Sequence, residues 1–313
     1  AIIGIVTSLE VWFALVTFMV MNGVNASLIW PELGCNPAVV ISCILAASTV
    51  FVPMRFFSYL SLVSSVSLAA AAVAMIGAAL TMPSWANPYD QMGVPALLQL
   101  QNTPRSVGII VFCFAGHPCF PVVHECMRDR GAWNRSIHIT FLLALLYYGS
   151  LGVFGYLVFG DYLAASFTTN LAQLRGTLLW RYISVIAFLV KIQLTAPLLL
   201  NAIVVSIWAP AVGTPEWPWK RVAFVWVLAG MTALTAVAFS NDVAAVASFT
   251  GSLFTMTTSV IFPAIVHLRL TQLYDAKDDG QLGSKLSHFL ILTFGIVMAI
   301  SGTALTVRDM LAN

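Results

Sequence analysis

The sequence predicts an all-α protein that crosses a membrane many times. Of its 313 residues, 60% are hydrophobic and 8% are charged, whereas a soluble domain has about 25% charged residues. The apolar residues form long continuous runs, such as 222–239, and lack the alternation of transmembrane β-strands. These features exclude a soluble globular enzyme, a disordered chain and a soluble domain on a single anchor.

Nine apolar runs approach the length of about 20 residues that a helix needs to cross the hydrocarbon core. The second run is short and lies between Pro37 and Pro53, and the sixth is long enough to tilt or unwind at one end. The predicted spans are 1–23, 38–54, 57–82, 107–126, 136–159, 180–208, 222–240, 243–267 and 287–306.

The first span begins at Ala1 without the charged segment and cleavage site of a signal peptide. We therefore expect a true membrane span here, preceded by sequence that is missing from the chain. Glu10 lies in its middle, where a carboxyl group either bonds to a neighbouring helix or takes part in ion coupling.

The fourth span combines helix-breaking residues with an intramembrane histidine. Gly116, Pro118 and Pro121 lie within six residues, and His117 stands among them. Two prolines and a glycine should interrupt the helix. Irregular backbone at this depth is tolerated where it lines a cavity or is buried in protein, and its free polar groups can hold a substrate or an ion. We expect a cavity, with a simple proline kink as the alternative.

The same span contains potential soft metal ligands, but their spacing is irregular. The prolines disturb the helical phase, and no C-x-x-C pair is present. We therefore predict no metal site and no cofactor, and a zinc or copper site remains the alternative. These five side chains are Cys113, His117, Cys119, His124 and Cys126.

Lys191 lies well inside the sixth span, where an ammonium group needs a carboxylate, carbonyls or water as partners. It could carry a proton or replace a bound metal cation. The alternative is that its long side chain reaches the membrane interface.

Other patterns indicate packing. Three glycines at intervals of three residues in the fifth span predict a helix-packing face. Four serines in the third span favour packing over catalysis, and no P-loop, HExxH or GxSxG motif occurs, so we predict that the chain is not an enzyme. The glycines are Gly149, Gly152 and Gly155, and the serines are Ser61, Ser64, Ser65 and Ser67.

The basic residues predict the orientation. One set of alternate loops holds nine lysines and arginines and the other set holds four, so the first set should be cytoplasmic and the chain should begin on that side. The sequon at Asn25 then falls on the other side, close to the membrane, which gives glycosylation weak support. No basic stripe indicates a nucleic-acid partner, so the lipid bilayer is the expected environment.

Several segments resemble the amino acid/auxin permease family, and specifically its vacuolar and vesicular branch. FCFAGHPCFPVVHECMRD (112–129) resembles the sixth helix of that family, and LLYYGSLGVFGYLVFGDYLAASFTTNL (145–171) resembles its seventh. The likeness covers nearly the whole chain in order. The further segments are SLEVWFALVTFMVMNGVNASLIWP (8–31), SYLSLVSSVSL (58–68), VKIQLTAPLLL (190–200) and SFTGSLFTMTTSVIFPAIVHL (248–268), which resemble helices three, five, eight and ten.

The resemblance implies an eleven-helix, LeuT-type inverted-repeat fold from which the first two helices are absent. The whole chain (1–313) would then be one transmembrane transporter domain. Residues 1–82 would be the remainder of the first repeat, 107–267 the second repeat, and 287–306 a peripheral helix. The absent first helix normally holds part of the substrate, so this chain would supply only half of the site.

The resemblance also implies a function: secondary active transport of amino acids, coupled to protons in preference to sodium. Cys113, Phe114, Ala115, Gly116 and His117 match the unwound segment that contacts substrate, although Pro118 and Cys119 depart from the family pattern.

For ion coupling, Lys191 and Thr195 match the eighth helix, which borders the sodium site in LeuT-type folds, and Glu10 matches a glutamate of the third. The membrane would be the plasma membrane or that of a vacuole or lysosome-like organelle. A metal-ion transporter on the same fold and an amino acid sensor or fragment that does not transport are the alternatives.

Overall fold

The computed structural model describes residues 2–52, 54–81, 100–160, 163–173, 178–207, 218–240, 242–274 and 282–312. Within these ranges the regular structure is entirely helical, as the composition predicts. Short 3₁₀ turns occupy His117–Cys119 and Arg130–Ala132. The α-helices are α1 (Ile2–Ile29), α2 (Cys35–Thr49), α3 (Met54–Thr81), α4 (Thr103–Cys113), α5 (Phe120–Cys126), α6 (Trp133–Phe159), α7 (Phe167–Gln173), α8 (Leu178–Ile207), α9 (Pro218–Ala238), α10 (Val243–Phe249), α11 (Phe262–Tyr274) and α12 (Leu282–Ala312).

The helix lengths are those of an integral membrane protein. In the described part of the chain, seven helices are long and apolar enough to cross a membrane. The predicted span 38–54 becomes the shorter apolar helix α2, and the predicted span 107–126 becomes an interrupted helix. Each of the predicted spans therefore has a helical counterpart.

The predicted break in the fourth span is confirmed. Helix α4 ends at Cys113, a turn and the 3₁₀ segment follow, and α5 begins at Phe120. Pro118 has no amide hydrogen for the Phe114 carbonyl, which instead accepts a bond from the Gly116 amide at 2.8 Å. Pro121 also has no amide hydrogen to donate to the His117 carbonyl, which instead accepts a hydrogen bond from the Phe120 amide. The two prolines therefore account for the change in hydrogen bonding.

A second irregularity joins α10 to α11. The helix widens into two successive π turns, Thr250–Thr255 and Thr257–Ile261, before normal α geometry resumes. A π turn adds a residue to the helical repeat and shifts the faces on which the following side chains lie. Nothing in the apolar pattern of 243–267 predicts this widening.

The chain divides into two compact units. The first comprises the described parts of 1–14, 98–123 and 244–313. Here α4 packs closely against the first π turn: a Cβ built on Gly251 would overlap the Gly108 carbonyl oxygen. Helix α12 joins them through the Arg105–Asp309 ion pair at 3.2 Å.

The second unit comprises the described parts of 15–97 and 124–243. Helices α3 and α8 pack along each other, with Gly77 directly under the ring of Trp180. Helix α2 packs on α8 and α9. Tyr147 of α6 donates a hydrogen bond to the Leu68 carbonyl of α3 at 2.7 Å.

The structure contradicts two minor sequence predictions in this unit. Asn25 is fully buried and donates its amide hydrogen to the Met21 carbonyl, so the sequon nitrogen is not accessible for glycosylation. Gly149 and Gly152 have no neighbour within 4 Å among the described residues, so they do not form the predicted packing face. Small residues mark a helix that can be approached closely, but they do not select a partner.

The segments between the predicted spans differ in what the structure shows of them. Residues 161–179 contain helix α7, which is too short for a periodic apolar pattern to reveal. Residues 83–99 of the loop predicted at 83–106, and 275–281 of the loop predicted at 268–286, lie outside the described residues. The division of the chain into repeats at 1–82, 107–267 and 287–306 stays a prediction.

Candidate functional site

Glu10 lies buried in α1, with 1% of its surface exposed. Its Oε2 atom accepts a hydrogen bond from the Thr258 hydroxyl at 2.8 Å. The Nε2 atom of His117 stands 3.4 Å from the same oxygen. Because an isolated carboxylate is costly to bury, these polar neighbours are what allow Glu10 to occupy an apolar helix.

His117 is positioned by the break in the fourth span. It is the first residue of the 3₁₀ turn, and its Nδ1 atom lies 2.9 Å from the Ser259 hydroxyl. Its two ring nitrogens therefore face different partners, one towards Glu10 and one towards Ser259. A quarter of its side chain is exposed, in contrast to the buried carboxylate.

The polar contacts of Glu10 and His117 are incomplete. Among the described residues, neither Oε1 of Glu10 nor Nε2 of His117 has a hydrogen-bond partner of good geometry, although both atoms are buried. The 3.4 Å separation exceeds the roughly 2.7–2.9 Å of a charge-assisted N–H···O bond. Buried polar atoms without partners are uncommon and often mark functional sites.

An aromatic cluster lies one helical turn along α1 from Glu10. Phe13 stacks on Phe254 with ring centroids 5.2 Å apart and meets Phe249 edge-on at 5.5 Å. The helix that carries Glu10 is thus joined to the widened helix that carries Thr258 by apolar contacts as well as by a hydrogen bond.

The other predicted substrate residues form the turn itself. Cys113 and Gly116 are exposed, and Phe114 and Ala115 are partly buried. A Cβ built on Gly116 would have Phe120 as its nearest atom, at 3.8 Å, so open space adjoins the break. Exposed irregular backbone beside open space can bind a small polar molecule.

Lys191 and Thr195 lie in the second unit, one turn apart on α8. The Thr195 hydroxyl donates to the Lys191 carbonyl at 2.8 Å and lies 3.2 Å from the hydroxyl of Ser64 on α3. The Lys191 ammonium stands over the Phe18 ring, 4.4 Å from its centre, in a cation–π contact. The two hydroxyls thus meet at the backbone carbonyl of Lys191, whereas its ammonium stands against an aromatic ring.

Three hydroxyl residues of these groups were not predicted from the sequence: Ser64, Thr258 and Ser259. Ser64 was assigned to packing because serines on an apolar helix usually bond to their own backbone. Thr258 and Ser259 belong to an ordinary-looking T-T-S stretch, and only the π turn brings them to Glu10 and His117.

Among the described residues, no three His, Cys, Asp or Glu side chains cluster closely enough to hold a metal ion. His117 is engaged with Ser259 and Glu10 instead. The side chain of Cys126 lies outside the described set.

Comparison with known proteins places these features in context. The profile of the family described as transmembrane amino acid transporter protein matches residues 4–308. Amino acid transporter AVT1D of Arabidopsis thaliana is 27% identical to the chain, over 96% of this chain and 55% of that protein. Amino acid transporter AVT1J of the same plant is 23% identical, over 98% of this chain and 73% of that protein.

Amino acid transporter AVT1I, also from Arabidopsis thaliana, is 20% identical over 100% of this chain and 77% of its own length. The chain thus spans about half the length of AVT1D and about three quarters of AVT1J and AVT1I. No solved structure matches the chain.

Proposed function

Because this chain belongs to the transmembrane amino acid transporter protein family, we propose that it carries amino acids across a membrane, driven by a proton gradient. The observation that carries the proposal is the broken helix at Cys113–Cys119, with partly exposed backbone beside open space. An amino acid has charged amino and carboxylate groups, and the polar backbone of an interrupted helix can hold such groups.

The substrate would bind along the turn from Cys113 to His117. Exposure of Cys113 and Gly116 leaves their backbone accessible, and the absence of a side chain at Gly116 provides room. In the LeuT-type arrangement that we propose, this segment would be one of two broken helices that surround the substrate.

Lys191 would act as a fixed positive charge at the place where a sodium-driven relative binds its ion. The Thr195 and Ser64 hydroxyls, which lie against the Lys191 backbone carbonyl, are the kind of oxygen ligands that sodium would use. An ammonium group in that position leaves no need for sodium, so the proton remains as the driving ion. Glu10 is the buried carboxylate whose negative charge can favour the binding of a proton nearby.

A proton gradient of this kind exists across the plasma membrane and across the membrane of an acidic vacuole or lysosome-like organelle. We propose one of these as the site of action. The charge bias of the loops supports a cytoplasmic start of the chain but does not choose between the two membranes.

The experiment is uptake into proteoliposomes that contain the full-length gene product. Each of the twenty tritiated L-amino acids is supplied in turn, under an imposed pH gradient or an imposed sodium gradient. We expect pH-driven, sodium-independent uptake of at least one amino acid. Uptake should be lost in Lys191→Ala and retained in Lys220→Ala, which removes an exposed lysine of α9. Sodium-driven uptake that survives Lys191→Ala would contradict the proposal.

The substrate position is tested by Gly116→Leu. A Cβ fits there without displacing any atom, so the variant should fold, and its longer side chain should fill the space beside the break and abolish uptake. Gly149→Leu is the matched control, since that glycine has no neighbour within 4 Å in the described part of the chain but lies on α6. Normal uptake by well-folded Gly116→Leu would exclude a substrate cavity at this turn.

A further inference from the structure

The second π turn places two consecutive hydroxyl groups on two different partners. Neighbouring side chains of an α-helix diverge by about 100°, and the wider π turn reduces this angle. Thr258 bonds to Glu10 at 2.8 Å and Ser259 meets His117 at 2.9 Å. Thr258 also bonds to the Phe254 carbonyl at 3.0 Å, whereas the preceding hydroxyl, that of Thr257, bonds among the described residues only to the Leu253 carbonyl of its own helix.

Each hydroxyl suits the chemistry of its partner. The Thr258 hydroxyl donates to Oε2 of Glu10, so this oxygen is an acceptor. The Ser259 hydroxyl can donate to a bare Nδ1 of His117 or accept from a protonated one, because a hydroxyl rotates between the two roles. Ser259 can therefore stay bonded to His117 whether or not the ring carries an added proton.

We propose that Glu10 and His117 together form the proton-binding site of the transporter, with Thr258 and Ser259 as positioning residues. This inference rests on the proposed function for its role in transport. It is carried by the 3.4 Å gap between Nε2 and Oε2 and by the absence of hydrogen-bond partners for Oε1 and Nε2 among the described residues. Such a pair is placed to form a shorter bond once the imidazole carries a second proton.

The proton balance is simple. Before binding, a carboxylate faces a neutral imidazole that carries its hydrogen on Nε2, and the pair has one negative charge. The incoming proton forms an N–H bond at Nδ1, and release breaks the same bond. The resulting carboxylate–imidazolium pair has no net charge, with Nε2–H directed at Oε2 and Nδ1–H directed at Ser259.

The change of charge has a mechanical consequence. A buried pair without net charge costs far less than a buried single charge, and a charge-assisted bond is shorter than 3.4 Å. Protonation should therefore draw His117 towards Glu10. His117 begins the 3₁₀ turn directly after the break, so its movement alters the segment proposed to hold the substrate.

Other titratable groups around the pair are few. The thiol of Cys119, on the same 3₁₀ turn, lies within the electrostatic influence of Glu10. The two π turns, residues 250–261, contain no acidic, basic, cysteine, histidine or tyrosine side chain. Of the side chains named here, Glu10 and His117 are the two that face each other across the 3.4 Å gap.

The first test reads the histidine directly and does not depend on transport. The full-length gene product is labelled with ¹⁵N-histidine in nanodiscs, and His117→Gln identifies the His117 signals by their loss. We expect only Nε2 to carry hydrogen at alkaline pH and both nitrogens to carry hydrogen at acidic pH. Ser259→Ala should mix the two neutral forms, and Glu10→Gln should change the pH response. Thr257→Val should change neither the neutral form of His117 nor its pH response.

The second test measures uptake of the twenty tritiated amino acids with and without an imposed pH gradient. Stimulation by the gradient should be lost in Glu10→Gln and His117→Gln, reduced in Thr258→Val and Ser259→Ala, and retained in Thr257→Val. Gradient-stimulated uptake in Glu10→Gln equal to wild type, or a His117 signal that ignores both pH and Glu10→Gln, would overturn the inference. The expected histidine signals without any amino acid uptake would leave the proton site standing and refute the proposed function.

Discussion

Single glycines set the closest approach between helices in the first unit. The backbone of Gly251 in the π turn lies so near Gly108 of α4 that a Cβ on either residue would meet atoms of the other helix. Gly302 of α12 faces the same region, where its Cβ would lie 3.0 Å from the Pro104 carbonyl oxygen. Interiors packed at this density do not absorb an added methyl group without movement.

Replacing Gly251 by alanine should therefore destabilise the protein. Overpacking typically costs about 1–3 kcal/mol. Gly149→Ala is the control, because that helical glycine has no close neighbour and alanine favours a helix by about 0.5–1 kcal/mol. Thermal unfolding in detergent, followed by tryptophan fluorescence, should give a lower midpoint for Gly251→Ala and an equal or higher one for Gly149→Ala. Equal midpoints for the two variants would contradict the close contact.

At this scale the sequence identified the ionisable members of the candidate site but not their partners. Glu10, His117 and Lys191 are conspicuous because charged residues in apolar spans are costly. Thr258 and Ser259 are not conspicuous, since hydroxyls in helices usually bond to the carbonyl four residues earlier. Their contacts depend on a π turn and on residues about 250 and 140 positions away, which no local pattern encodes.

Among the elements, α7 shows how a short helix is fixed by side-chain hydrogen bonds. Its residue Thr168 is fully buried and donates to Oδ1 of Asn25 on α1 at 2.7 Å, while the Ser166 hydroxyl lies 2.7 Å from Thr168. Asn170 accepts from the Ala164 amide at 2.9 Å. A helix of seven residues is unstable alone, so these bonds hold it in place.

Thr168→Val should weaken this attachment while keeping the shape of the side chain. It leaves Oδ1 of Asn25 without its donor, and an unsatisfied buried acceptor costs about 1–3 kcal/mol. Thr169→Val is the matched control on the adjacent, partly buried position. Hydrogen exchange measured by mass spectrometry should be faster over 163–173 in Thr168→Val only. Equal exchange in both variants would show that the hydrogen bond does not hold α7.

Of the two irregular helices, the sequence predicts the first and not the second. The break after Cys113 follows from Pro118 and Pro121, because a missing amide hydrogen and a ring clash act wherever proline occurs. The π turns after Phe249 carry no such marker. They lie where this part of the chain packs against α4 and α12, which are distant in sequence.

For the whole molecule, the length of the apolar runs was sufficient to predict the all-α class and to place a helix at each predicted span, but not the short helix α7. Membrane thickness sets a minimum length for every span, and this constraint acts on local sequence alone. The grouping of the helices into two units was not predictable in the same way, because α1 contributes to both and residues distant in sequence meet in each. The orientation of the chain in the membrane, in contrast, depends on local composition, because it follows the charged residues beside each span.

The charge bias predicts the orientation of the entire chain: Arg130 should face the cytoplasm and Glu32 the opposite side. Both residues are exposed, so a cysteine at either place should react freely with a thiol reagent. In a background with the five native cysteines replaced, Arg130→Cys in sealed vesicles of known orientation should react with a membrane-impermeant maleimide from the cytoplasmic face. Glu32→Cys should react from that face only after detergent opens the vesicles. The reverse pattern would invert the chain, and with it the direction from which protons reach Glu10 and His117.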